Sequence, residues 1–136
     1  MNKTKFIIIN MMLLFFMLTA CLRSNANDLG SQSGWQTISA QEAYRIMNEL
    51  DTYILLDVRT PQEFAESRIA GAILIPDYEL KQRAEVELPD KNAVILIYCR
   101  SGRRSALSAA VLAEMGYTNV YDFGGIINWP YETVKG

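Results

Sequence analysis

From Trp35 onward, short apolar runs of strand length alternate with stretches whose starts carry helix-capping residues. Residues 36–38 predict a brief first strand. Ser39-Ala40-Gln41-Glu42 has capping-box spacing and predicts a helix that runs to about Glu49. The apolar run at 53–58 predicts a second strand, closed by Asp57. Thr60-Pro61-Gln62-Glu63 then combines an N-cap, a proline at the first helical position and a glutamate three residues after the cap, so a short helix is expected over 61–67. Residues 72–75 read as a third strand ended by Pro76, and 78–86 as a helix with a weak amphipathic pattern. Ala93-Val94-Ile95-Leu96-Ile97-Tyr98 is apolar without alternation, the pattern of a strand buried on both faces and so central in a parallel sheet. Residues 105–115 are apolar on most of their surface and are followed by Gly116, a C-cap signal, which predicts a well-buried helix. A last strand at 120–123 leads through Gly124-Gly125 into a short final helix. Strands that alternate with helices imply an α/β fold, with a mostly parallel five-stranded sheet and helices on both faces.

The first twenty residues have another pattern. Met1 to Lys5 is short and basic, and the following residues through Leu18 are apolar apart from Asn10, the length of a signal-peptide core and short for a bilayer span. Leu18-Thr19-Ala20-Cys21 resembles the bacterial lipobox. The resemblance implies cleavage before Cys21 and lipidation of its sulfur, and two or three acyl chains anchor stably where one does not. Leu22 follows the cysteine where an aspartate would resemble the inner-membrane retention signal of Gram-negative lipoproteins. The expected location is therefore the bacterial cell envelope, on the periplasmic side of the outer membrane if the source is Gram-negative. The chain then divides into a signal peptide at 1–20, a polar, flexible tether rich in Asn, Ser and Gly at 21–34, and one domain at 35–136.

Composition narrows the chemistry. The 136 residues contain no histidine and two cysteines, Cys21 and Cys99. Cys/His zinc sites, Ser-His-Asp triads and Cys-His dyads are all excluded. No motif implies a metal or an organic cofactor. The formal net charge is -2, and both Lys3 and Lys5 precede position 21 while every acidic residue follows it, so the domain is more acidic still. Such a domain is poorly suited to nucleic acid, whose binding depends on neutralising phosphates.

The exception to this acidity is Cys99-Arg100-Ser101-Gly102-Arg103-Arg104-Ser105, which joins the central strand to the buried helix. Ligand sites in open parallel sheets form at the carboxyl ends of strands. A free thiol is largely protonated at neutral pH, whereas helix N-termini and cations favour the thiolate that reacts. This loop offers both: backbone N–H groups that can curl round the sulfur, with Gly102 permitting the curvature, and three arginines within five residues. These cations suit an anionic partner.

With Tyr53-Ile54-Leu55-Leu56-Asp57-Val58-Arg59, Glu63-Phe64, Ile69-Ala70-Gly71-Ala72-Ile73 and Gly124-Gly125-Ile126, the loop resembles the rhodanese family across nearly all of 35–136. One departure is Ser67-Arg68-Ile69, where the family commonly has Gly-His-Ile; that histidine is not the family's nucleophile. The resemblance implies a rhodanese-like fold and sulfur transfer from a small anionic donor such as thiosulfate to cyanide or a thiol, through a persulfide on Cys99. Arg100, Arg103 and Arg104 would orient the donor, Ser101 and Ser105 would donate hydrogen bonds, and Gly102 would shape the loop. Asp57 and Arg59 also match family positions and are read as structural support of the site. The tryptophans and tyrosines are read as packing.

Three other readings compete. Cysteine phosphatases need an arginine six positions after the cysteine, to grip phosphate with two parallel hydrogen bonds. Here that position is Ser105, and Arg104 comes one residue too early. A binding module that keeps the fold without turnover is less consistent with an intact Cys99 in a basic loop. A redox-sensing thiol would lack a resolving cysteine within the chain, since Cys21 is expected to be lipidated.

Overall fold

The computed structural model describes residues 34–136. The expected signal peptide, almost all of the tether and Cys21 lie outside the described residues. Five parallel strands form one sheet: β1 (Trp35–Thr37), β2 (Ile54–Asp57), β3 (Ile73–Leu74), β4 (Val94–Cys99) and β5 (Asn119–Gly125), in the spatial order β1-β5-β4-β2-β3. The helices are α1 (Ala40–Glu49), α2 (Pro61–Glu66), α3 (Leu80–Glu87) and α4 (Arg103–Glu114), with 3-10 turns at Asp77–Glu79 and Ile126–Asn128.

The unbroken apolar run holds the middle of the sheet, as its pattern predicts. Along β4 the side chains alternate between two buried clusters. Ile95, Ile97 and Cys99 face a core shared with Leu80, Ala84, Ala109 and Leu112 of α3 and α4, while Leu96 and Tyr98 face Ala43 of α1, Ile69, Phe123 and Trp129. Each fully buried side chain of this size contributes about 1.5–3 kcal/mol. The last residue of the best-anchored strand is therefore the cysteine, and it faces α4.

Local chemistry accounts for the helix starts. Ser39 caps α1, its hydroxyl accepting the Glu42 N–H at 3.0 Å. Thr60 caps α2 in a complete capping box: its hydroxyl accepts the Glu63 N–H and its own N–H donates to the Glu63 carboxylate.

The first strand is shifted by one residue and the last extends through Gly125, and the structure differs from the pattern in three further places. The third strand is only two residues long, because Ile73 and Leu74 form a short edge beside β2. The stretch from residue 78 begins as a 3-10 turn and becomes α-helical at Leu80; this helix buries only Leu80 and Ala84, four apart, which is why its pattern is weak. Finally, α4 starts at Arg103 and not at Ser105. Gly102 takes φ +102° as the N-cap, so the turn closes earlier and Arg103, Arg104 and Ser105 form the first helical turn.

Candidate active site

The carboxyl end of β4 is where the thiol sits. Cys99 is 1% exposed, yet its Sγ accepts a hydrogen bond from the Gly102 N–H at 3.0 Å. The sulfur takes the position in which an N-cap side chain would satisfy the first amides of α4, and α4 has no other side-chain cap. Burial pushes the thiol's pKa up. The Ser105 hydroxyl and the backbone N–H groups of Ser105, Gly102 and Ser101 outweigh burial, and the net result lies below the ordinary value of 9.0. Arg104 adds a favourable charge interaction with the sulfur. The rate of alkylation by iodoacetamide should accordingly reach its midpoint below pH 9.0, and Ser105→Ala should move that midpoint upward. An unchanged profile would remove Ser105 from the account.

Ser105 is fully buried, and its hydroxyl also lies 3.1 Å from the Gly102 carbonyl and 3.3 Å from that of Gly124. It ties the loop to the end of β5, where the ladder between β4 and β5 slips. Ile97 pairs with Asp122 but Cys99 pairs with Gly125, so β5 carries one extra residue. Gly124 takes φ +88° in this bulge, and its N–H donates to the buried Asp122 carboxylate at 3.0 Å. The bulge brings Gly125 against the loop so closely that a Cβ there would overlap the Arg100 carbonyl oxygen and press on the Ser101 Cα. Gly102 faces Gly124 in the same way, with 3.3 Å between an added Cβ and the Gly124 Cα.

The three arginines do not share one environment. Arg100 and Arg103 are exposed, and among the described residues no carboxylate is within ion-pair distance of either. Arg104, expected to orient a donor, directs both terminal nitrogens to Glu63, at 2.9 and 2.8 Å in a bidentate pair. Glu63 thus does two jobs, capping α2 and clamping the first turn of α4. The Arg104 guanidinium, followed by the Thr60 N–H, holds the Glu63 carboxyl at about 2 against the upward push of burial.

Because this folded value lies below the ordinary 4.5, the pair stabilises the fold fully above pH 4.5 and is lost as pH falls toward 2. Glu63→Gln should lower stability at neutral pH by about 1–3 kcal/mol, and the gap to wild type should close between pH 4.5 and 2 in urea melts. A gap independent of pH would show that the lost charge is not its cause.

Asp57 and Arg59 lie at the end of β2, beside the site. Both are nearly inaccessible, and the guanidinium bonds both carboxylate oxygens at 2.6–3.0 Å as well as the Ser67 carbonyl at 2.6 Å. It also lies over the Tyr98 ring. The pair fastens the ends of β2 and α2 to each other next to the loop.

The loop thus gathers Cys99, Arg100, Ser101, Gly102 and Ser105 into one cradle with Arg103 at its edge. The site also depends on Glu63, Asp122, Gly124 and Gly125, which the sequence did not mark as site residues. Glu63 is far from the loop in sequence and its capping role already explained it. Gly124-Gly125 read as a turn, whereas the close approach needs the bulge.

The chain is similar to known proteins over most of the described residues. The rhodanese-like domain family matches residues 39–130. The thiosulfate sulfurtransferase PspE of Escherichia coli is 41% identical over 60% of this chain and 78% of its own. A sulfurtransferase of Allochromatium vinosum is 36% identical over 68% of this chain and 85% of its own. Among solved structures, a rhodanese with anions from E. coli superposes with a TM-score of 0.59 at 39% identity, covering 62% of this chain and all of that one. With that sheet order, a thiol cradled at the end of the central strand and a family match over most of the chain, the protein belongs to the rhodanese-like domain family.

Proposed function

We propose that this protein is a thiosulfate-type sulfurtransferase that carries sulfane sulfur on Cys99 as a persulfide. The observation that carries the proposal is the thiol itself, buried at the end of β4 and turned toward the thiolate by the amides and hydroxyl around it. The thiolate attacks the outer sulfur of thiosulfate, a bond forms between the two sulfurs, and the S–S bond of the donor breaks, sulfite leaving with its electron pair. The same N–H groups that favour the thiolate favour the persulfide anion. Cyanide or a thiolate then takes the outer sulfur and returns Cys99 to the thiolate.

Donor recognition falls to Arg100 and Arg103, the two cations of the loop without a carboxylate partner among the described residues, while Arg104, clamped by Glu63, holds the first turn of α4. The relatives named for thiosulfate sulfurtransfer support thiosulfate as the class of donor. In a single turnover without acceptor, one equivalent of sulfite per Cys99 is the expected yield. A thiol that consumes no thiosulfate would leave a fold used for binding alone.

The lipobox reading belongs to the same proposal: a Cys21 lipid anchor would hold the domain at a membrane of the bacterial envelope. Cys21→Ala should then abolish incorporation of labelled fatty acid and release the protein from the membrane fraction; labelling that persists in the variant would refute the anchor.

A further inference from the structure

Beyond the cations that suit a small donor, the mouth of the site carries apolar side chains that cyanide or thiosulfate does not need. Of the eight exposed large apolar side chains among the described residues, three of the four most exposed border the Cys99 loop: Tyr78 at 63%, Leu107 at 61% and Ile127 at 63%. Tyr78 and Leu107 line a cleft of about 290 Å³ with Arg104, Asp77 and Lys81, between α4 and the start of α3. Ile127 lies at the other end of the loop, its N–H bonded to the Arg100 carbonyl at 3.2 Å. Between and beside them stand the exposed cations Arg100, Arg103 and Lys81, with no carboxylate within ion-pair distance of any of them among the described residues. On an acidic chain this rim carries three exposed cations and three apolar side chains beside the loop that starts at Cys99, with Asp77 as the carboxylate that lines the cleft.

We infer that the sulfur acceptor is a protein with an acidic surface, whose cysteine is flanked by carboxylates and by an apolar side chain, and that it docks on this rim. The inference rests on the persulfide reading above and extends it to the second half-reaction. Charge complementarity singles out this partner: carboxylates meet Arg100, Arg103 and Lys81, while Tyr78, Leu107 and Ile127 exclude water around the exchanging sulfurs. The partner's thiolate attacks the outer sulfur of the Cys99 persulfide. A new S–S bond forms on the partner, the bond to Cys99 breaks, and Cys99 keeps the electron pair as thiolate, so no external oxidant or reductant is required.

The test loads the full chain with thiosulfate, removes the donor, and times sulfur transfer to two synthetic peptides by mass spectrometry. Each peptide has one cysteine and one leucine, flanked in one peptide by aspartate and glutamate and in the other by lysine at the same positions, and cyanide serves as a third acceptor. The acidic peptide should accept sulfur at least about tenfold faster than the basic one at low salt, with the preference shrinking as salt rises. In the triple variant Tyr78→Ser, Leu107→Ser, Ile127→Ser, all at exposed positions, transfer to the acidic peptide should fall about tenfold while discharge by cyanide stays within about twofold. Equal rates for the two peptides, or peptide transfer unchanged in the triple variant, would overturn the docking surface with sulfur transfer intact. Failure of thiosulfate to load sulfur on the wild-type chain would overturn the persulfide reading and the partner together.

Discussion

Cys99→Ser is expected to lower thiosulfate:cyanide turnover by about a thousandfold or more, because a serine hydroxyl gives no nucleophile comparable to a thiolate in this pH range and cannot form a persulfide. The cradle explains why the loss should be chemical. Oγ can still accept the Gly102 N–H, so the start of α4 keeps its cap. The cost to the fold should be limited to about 1–3 kcal/mol, for a hydroxyl facing the apolar side of a core that includes Ile97 and Ala109. Turnover assays paired with thermal melts separate the two effects. Activity retained in the variant would place the reacting sulfur elsewhere.

Gly125→Ala should have the second largest effect, although residue 125 touches no substrate in the mechanism. An alanine Cβ meets backbone, the Arg100 carbonyl and the Ser101 Cα, and backbone cannot rotate away as a flexible side chain can. The loop must shift, and a displacement of about 1 Å in a reacting group costs on the order of a hundredfold in rate. Gly71→Ala is the matched control. Gly71 has φ +81° but open space around it, so the substitution should cost about 1 kcal/mol of stability through strain and leave turnover unchanged. Equal turnover in both variants would mean that the approach of β5 does not set the geometry of the loop.

These two cases mark how far the sequence could be read. Elements governed by local chemistry were legible: the unbroken run that became β4, the Thr60 capping box that opens α2, and the alternation that made the sheet parallel. Cys99 was legible as a candidate because its position follows from the strand and its charges lie beside it in sequence. Contacts made across the fold were not. The Glu63 clamp on Arg104 joins the starts of two helices, and nothing local to Glu63 announces it beyond its capping role. The loop's arginines looked equivalent as a string, whereas α4 begins at Arg103 and turns Arg104 toward Glu63, leaving Arg100 and Arg103 exposed. The bulge at Gly124 depends on a one-residue slip between β4 and β5, which a pattern of apolar residues does not record. α3 was hard to place because two buried positions give little amphipathic signal.

The decisive experiment for a Cys99 persulfide is intact-mass spectrometry of the full chain before and after thiosulfate, with cyanide added last and Cys99→Ser in parallel. The wild-type chain should gain one sulfur atom, mapped to Cys99, reversed by cyanide and absent from the variant. A wild-type chain that gains no sulfur, or gains it equally in Cys99→Ser, would contradict the persulfide.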